Sequence, residues 1–265
     1  MTHSVVVYRT RNVGDVIQTL ALSRLLPQAQ GVYRHRLRDA PADCRLVLNG
    51  MLDKDAPPPA GGPPCLLAGV SGPHFRKRAY LRWMKQCSHP VGARDRSTVE
   101  ALTAAGIPTS LVGCATLTLP RYDGPRRGVY SVDCAGPGLA LSHAISRDLD
   151  VRGGWALALG LLERYRTAEA VHTTRLHVAL PCLAFGTPVW IADPKRGAWH
   201  PHRFSLLDEL GIRYETLLTA DVAPLAGRYR AFLAEHLGHP IEPGEPKIPL
   251  LPPDPGPPGW RVPWP

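Results

Sequence analysis

The residues best suited to chemistry lie in TTRLHVALPCLAFGTPVWIA, Thr173 to Ala192, an apolar strand–helix–strand unit with an Arg and a His where its helix begins. Burying either side chain unpaired is costly. AVHTT reads as a strand and Thr174 as the helix N-cap, so Arg175, Leu176 and His177 fall in the first turn. Backbone N–H groups there lack helical partners and the helix dipole is positive, which makes the turn an anion site at the carboxyl end of a parallel strand. A cation in that turn is electrostatically unfavourable unless something negative sits nearby. Leu176, Ala179, Leu180 and Leu183 form the apolar stripe, so Leu176 points inward while Arg175 and His177 lie off the stripe. Pro181 cannot donate to the His177 carbonyl and should kink the helix. Two readings stay open on this unit alone. Arg175 pairs with a core carboxylate and His177 is an interior histidine, or the two hold an anionic ligand over the helix end.

The same design recurs. Arg94, in PVGARDRST, stands at the end of a strand ahead of a capped helix, where its ordinary role is to pair with Asp95 or with helix neighbours. Asn12, Gly14 and Asp15, in RNVGDVIQT, mark the first strand–helix junction. The glycine permits a tight turn, and Asp15 either caps the helix or binds a hydroxyl. The junction is neither a phosphate-binding P-loop nor a GxGxxG dinucleotide loop. His74, in SGPHFRKR, follows a further strand, and a lone loop histidine is more often a surface residue than a functional one.

The elements that must hold these residues alternate. SVVVY, CRLVLNG, CLLAGVSG and HPVGAR read as strands, DVIQTLALSRLL as a helix. Ser97 to Glu100 matches a capping box, and Gly106 is placed to end that helix. IPTSLVGCATLTLP reads as extended chain, and the Pro/Gly break RYDGPRRG, Arg121 to Gly128, as a domain boundary. GVYSVDC, LALSHAI, AEAVHTT and PVWIA are strands, and Trp155–Arg166, FSLLDELG and PLAGRYRAFLAEHLG helices. The fold class is α/β, with two Rossmann-like lobes built on parallel sheets. The expected division is residues 1–122, residues 123–239 and a Pro-rich tail, 240–265, that Trp260 and Trp264 could dock on the body.

Composition narrows the function classes. The chain has 265 residues, 44% hydrophobic and 20% charged, enough for two cores. It shows no apolar run near the roughly 20 residues of a bilayer span and no signal-peptide pattern at its start, so a cytoplasmic location is expected. Six dispersed cysteines without a CxxC pair argue against a zinc site and a disulfide framework. The net charge of +9 is mostly an arginine excess, which a high-GC genome also produces. The densest basic run, FRKRAYLRWMK, reads first as a solvated helix face and second as an entrance for an anionic or membrane-linked substrate. No nucleic-acid-binding pattern accompanies it.

Taken in order, NVGDVIQTLAL, LVLNGML, GVSGPH, PVGARDRSTVEALTAAGI, GCATLTL, AVHTTRLHVALPCLAFGTPVWI and HRFSLLDELG resemble the polysaccharide pyruvyl transferase family, from about Val6 to Leu210. The resemblance implies a glycosyltransferase-B-like fold with the active site between lobes, phosphoenolpyruvate as donor and a sugar hydroxyl pair, on a free, lipid-linked or polymeric glycan, as acceptor. It carries donor binding to Arg94, Arg175 and Leu176, the last through its backbone N–H, and general-acid chemistry to His177. His74, Asp15 and Asn12 would assist the acceptor, and no cofactor or metal is implied. GCATLTL lacks the Asp-Pro pair that part of the family has there. The competing readings are a glycosyltransferase of the same fold with a nucleotide-sugar donor and a non-catalytic polyanion-binding protein.

Overall fold

The structure is a computed structural model that describes residues 2–51, 64–71, 78–88, 90–193, 204–245 and 248–250. It is an α/β protein with two mostly parallel sheets. The first sheet is built from β1 (Thr2–Val7), β2 (Gln30–Tyr33), β3 (Cys44–Met51), β4 (Cys65–Ser71), β5 (Val91–Ala93) and β6 (Thr109–Leu111), in the order β2-β1-β3-β4-β5-β6. All five pairings are parallel. The near-continuous apolar runs VVV and CLLAGVS follow from that, because strands of such a sheet are buried on both faces.

The second sheet contains β7 (Val129–Val132), β8 (Leu139–Leu141), β9 (Ala170–Thr173), β10 (Val189–Ile191) and β11 (Leu217–Leu218), ordered β11-β10-β9-β7-β8. Only β11 pairs antiparallel.

Helix α1 (Val13–Leu25) lies between the two units, and every residue in it except Asp15 is buried. It packs on β1 and on two helices of the second unit, α4 (Val151–Thr167) and α5 (Leu176–Phe185). A helix covered on all sides cannot be strongly amphipathic, which explains the apolar residues around its whole circumference. Its one buried cation, Arg24, donates to the Thr118 carbonyl at 2.6 Å. One hydrophobic cluster runs from Val5 and Leu20 through Trp155 and Leu180, so the lobes share a core.

Several local expectations are corrected. Helix α3 (Arg96–Ala104) is capped by Asp95, whose carboxylate accepts the Thr98 N–H at 3.0 Å, and not by Ser97, whose hydroxyl instead donates to Asp95. A carboxylate at the N-cap also meets the positive end of the helix dipole. Gly106 ends the helix in the left-handed region, φ 71°. The stretch after β6 is not extended: Ala115–Thr118 forms a 3-10 turn, closed by Thr118 Oγ1 donating to the Ala115 carbonyl. The basic run contains α2 (Arg78–Met84), which buries Tyr80, Trp83 and Met84 at helical spacing and exposes Arg78 and Arg82. Strands β2 and β11 carry no pattern that the sequence reading used.

After α6 (Ser205–Glu209) and β11 the chain returns to the first sheet. Helix α7 (Ala223–Leu237) seats Tyr229 so that its hydroxyl donates to the Ala68 carbonyl at 3.0 Å. Its Phe232 ring packs on Gly92, where a Cβ would come within 2.8 Å of the ring. Beyond it Leu250 pairs with Gln30 and accepts the Gly31 N–H at 2.8 Å, at the β2 edge. Trp260 and Trp264 lie outside the described residues.

The lobes are also joined by a short backbone clasp. Val13 N–H donates to the His143 carbonyl at 2.9 Å and Ile145 N–H to the Arg11 carbonyl at 2.8 Å. His143 is buried, with Nε2 2.9 Å from the Tyr165 hydroxyl. Burial pushes its imidazole down to about 4, with Asp133 opposing and Arg175 adding to the effect. Unfolded, the ring titrates near ~6.5. As pH falls from that value toward the native one, the unfolded chain takes up a proton that the native state does not. Native stability therefore drops across this window, by up to about 3 kcal/mol. His143→Gln removes that component. Urea unfolding at pH 7 and pH 4.5 should show a smaller acid-induced loss in the variant than in the parent.

Candidate functional site

The site forms where the carboxyl ends of the strands in both sheets meet. After β1 the chain turns through Thr10 into α1. Asn12 is the N-cap, its side chain accepting the Gly14 N–H at 3.2 Å, while its own N–H donates to Thr10 Oγ1 at 3.0 Å. Asp15 is therefore not the cap. It accepts the Thr10 hydroxyl at 3.0 Å and stays partly exposed in the first turn, where a carboxylate is favoured. Gly14 is one of the contacts between lobes. A Cβ on it would stand 3.1 Å from His177 Cβ and 3.4 Å from His177 Nδ1.

At the end of β9, helix α5 begins one residue later than its sequence suggests. Arg175 is the N-cap, in extended conformation, and its carbonyl accepts the Val178 and Ala179 N–H groups at 3.1 Å each. Thr173 Oγ1 takes the Arg175 N–H at 2.9 Å, and Thr174, expected to cap, donates to the Asp133 carbonyl instead. Within the first turn His177 departs from helical geometry, φ −84° and ψ 17°. The cause is Pro181 four residues on, which has no N–H for the His177 carbonyl. Leu176 points into the shared core, as its place on the stripe requires.

The anion that Arg175 needs is Asp133, just beyond β7. Arg175 Nε donates to Asp133 Oδ2 at 2.8 Å. The same carboxylate accepts the Ser142 hydroxyl and the His143 N–H, and Asp133 occupies the left-handed region, φ 52°. The pair thus ties the first turn of α5 to the residue whose carbonyl clasps α1. No signal in the sequence distinguished Asp133 from any other acidic residue after a strand.

Arg94 ends β5 with 0% of its surface exposed. Its Nη2 donates to Ser71 Oγ at 2.7 Å, at the end of β4, and its Nε to Asp95 Oδ2 at 3.3 Å. Among the described residues the buried Nη1 finds no hydrogen-bond partner, which costs stability unless a ligand or water takes it up. Burial acts to raise the Asp95 carboxyl, but Arg94 and the hydroxyls of Thr98, Ser71 and Ser97 outweigh it and hold the group below its ordinary range. Beside Arg94 lies Cys114, after β6, where burial pushes the thiol up against the pull of the guanidinium. Cys114 Sγ is 4.0 Å from His177 Nε2. Arg94 and His177, 83 positions apart by their residue numbers, thus share one neighbour.

Next to them Tyr8 donates to the Asn49 carbonyl at 2.8 Å, and Asn49 Nδ2 to the Gln18 carbonyl at 3.0 Å. Among the described residues Asn49 Oδ1 and Gln18 Oε1 are buried without hydrogen-bond partners. Gly50, at φ 76°, leaves room for both Gln18 Oε1 and the Tyr8 hydroxyl, which would lie 2.7 and 2.9 Å from a Cβ there. Sequence reasoning named the LVLNGML segment without assigning these side chains a role. His74 lies outside the described residues.

A family model described as polysaccharide pyruvyl transferase matches residues 12–195, a span that runs from the α1 cap past β10 and includes Arg94, Cys114, Arg175 and His177. The chain belongs to the polysaccharide pyruvyl transferase family. Among solved structures it is similar to a functionally uncharacterized protein from Klebsiella pneumoniae subsp. pneumoniae NTUH-K2044, at 13% identity and a TM-score of 0.48, over 80% of this chain and 90% of that one. No curated protein matches. Family membership supports a transferase role on polysaccharide. Among the described residues no helix is long and apolar enough to cross a membrane, and no three His, Cys, Asp or Glu side chains group as a metal site.

Gly14→Ala tests the contact between lobes. Alanine favours a helix, yet its Cβ would press on His177, so the variant should melt a few degrees lower rather than higher. In 15N-histidine NMR spectra the His177 ring signals should shift.

Proposed function

We propose that this protein transfers the enolpyruvyl carbons of phosphoenolpyruvate to two hydroxyls of one sugar in a glycan or its precursor, forming a pyruvate ketal. The observation that carries the reading is the buried, unpaired Nη1 of Arg94 beside the Cys114–His177 contact. It is a desolvated cationic donor that shares the neighbour Cys114 with an imidazole, at the carboxyl ends of the strands. Arg94 and Arg175 would take the carboxylate and phosphate of the donor, a task that suits guanidinium forks. The N–H groups of the first turn of α5, that of Leu176 among them, would add to the anion site.

The chemistry balances with residues of this chain. Protonation of the donor's methylene carbon by His177 turns it into a methyl group. A sugar oxygen forms a bond to the neighbouring carbon and loses its proton. The second sugar oxygen then bonds to the same carbon as the carbon–oxygen bond to phosphate breaks, and its proton leaves on the phosphate. Two hydroxyl protons are lost and two are gained, one by the methyl group and one by the phosphate. An imidazole titrates where such a transfer needs it. Asn12 and Asp15, in the α1 turn facing His177, would orient the acceptor hydroxyls, and His74 would assist. On this reading the reaction takes place in the cytoplasm, where phosphoenolpyruvate is made.

Incubation with phosphoenolpyruvate and a panel of glycans, followed by mass spectrometry, should show the gain of one pyruvate unit on a true acceptor. With that acceptor His177→Ala should lower kcat by roughly 10²–10⁴ while leaving donor binding largely intact. Arg175→Ala should weaken donor binding about tenfold or more. Thermal stabilisation by UDP or GDP and not by phosphoenolpyruvate would instead favour a nucleotide-sugar donor.

A further inference from the structure

The second sheet has one face in the shared core and one face half open. Val171 and Val189 point to the core side, where α5 packs on β9 and β10. Side chains alternate along a strand, so His172 and Trp190 point the other way. The register places Leu217, Trp190, His172, Ser131 and Ala140 in one row across all five strands. Parallel sheets are ordinarily covered on both faces. Here Leu217 is 48% exposed, Ala140 is exposed, and His172 and Trp190 are only partly buried.

The row has a floor and a wall. The His172 and Trp190 rings stack with centroids 5.4 Å apart and planes inclined by 29°. At the Ser131 end the chain folds over the sheet. Ser131 Oγ donates to the Pro137 carbonyl at 2.7 Å, and a Cβ on Gly136 would stand 3.5 Å from His172 Cβ. Partial burial lowers the His172 imidazole, which leaves it uncharged at neutral pH. The floor is therefore aromatic and neutral, with backbone along one side. Such a surface matches a sugar ring, whose C–H face is apolar and whose rim carries hydroxyls. A second copy of the chain fits it poorly. A stable interface takes roughly 800 Å² and about 20 residues or more from each partner, and this floor offers Leu217, Trp190 and His172.

The row also ends at the site. His172 is followed by Thr173, whose Oγ1 accepts the Arg175 N–H, and Ser131 shortly precedes Asp133, the carboxylate that pairs with Arg175. We propose that the outer face of the second sheet is a glycan shelf: Trp190, flanked by His172 and Leu217, stacks against a sugar ring of the acceptor that adjoins the reacting unit. This rests on the reading of the protein as a transferase acting on a glycan. It narrows the acceptor to a chain of sugars rather than a single one.

The test uses the full chain with 15N-labelled tryptophan, Trp190 being assigned by the loss of its indole signal in Trp190→Phe. The probes are neutral gluco- and galacto-oligosaccharides and the corresponding single sugars, added without phosphoenolpyruvate. Oligosaccharides should shift the Trp190 indole signal and single sugars should shift it far less. In turnover with a true acceptor, Trp190→Ala should raise KM for the oligosaccharide about three- to tenfold. Its kcat and its KM for phosphoenolpyruvate should change little, and Trp190→Phe should recover most of the loss. An indole signal that no oligosaccharide moves would overturn the proposal, as would an equal rise in KM for single sugars and chains. Sedimentation that shows a dimer in the parent and a monomer in Trp190→Ala would also overturn it, by making the face an interface between copies. The binding spectra do not depend on the donor. If oligosaccharides move Trp190 while phosphoenolpyruvate neither binds nor reacts, the pyruvyl-transfer reading fails and the shelf stands. If pyruvate is transferred and Trp190→Ala behaves as the parent does, the shelf fails and that reading stands. Should Trp190→Ala not fold, the parent spectra still decide.

Discussion

The contact of Gly14 with His177 is the constraint on which the arrangement depends. Two sheets from distant parts of the chain can present their strand ends to each other only if the helix between them comes close to the second lobe, and α1 does so at a residue without a side chain. The backbone clasp of Val13 and Ile145 with His143 and Arg11 fixes the same approach by hydrogen bonds that no side-chain substitution removes directly. Interiors are close-packed and do not deform gradually, so a misplaced α1 would separate the Asn12 turn from the imidazole.

Charge is arranged on a similar economy. Arg94 is fully buried, and its neighbour Asp95 both balances it and caps α3. Asp133 neutralises Arg175 and receives the His143 N–H. Each carboxylate therefore performs a structural and an electrostatic task at once. Removing Asp95 would leave the buried Arg94 guanidinium short of a partner, which is costlier than removing both members of the pair. Such dual use holds both cations in fixed places at the strand ends.

Much of this was legible in the sequence, for definite physical reasons. Parallel strands buried on both faces must be continuously apolar, so VVV, CLLAGVS and AVHT announced themselves, and glycines after helices marked their ends. Arg94, Arg175 and His177 stood out because polar residues at such strand ends need partners. What the sequence could not supply was the partner. Asp133 and Cys114 lie 42 and 63 positions from the residues they touch, and nothing local marks an aspartate that will adopt a left-handed backbone. Capping was misread by two residues at α3, because Ser97 and Asp95 both fit an N-cap and only the Thr98 N–H direction decides between them. The return of α7 to the first sheet is likewise a tertiary choice, taken by Tyr229 and Phe232 against glycines 69 and 92.

That return has a mechanical consequence. The chain passes from the first lobe to the second near Arg121–Gly128 and comes back between β11 and α7. Two covalent crossings and a hydrophobic core common to both lobes tie them together, so parting the lobes would have to disrupt the packing around α1 as well as move both connections.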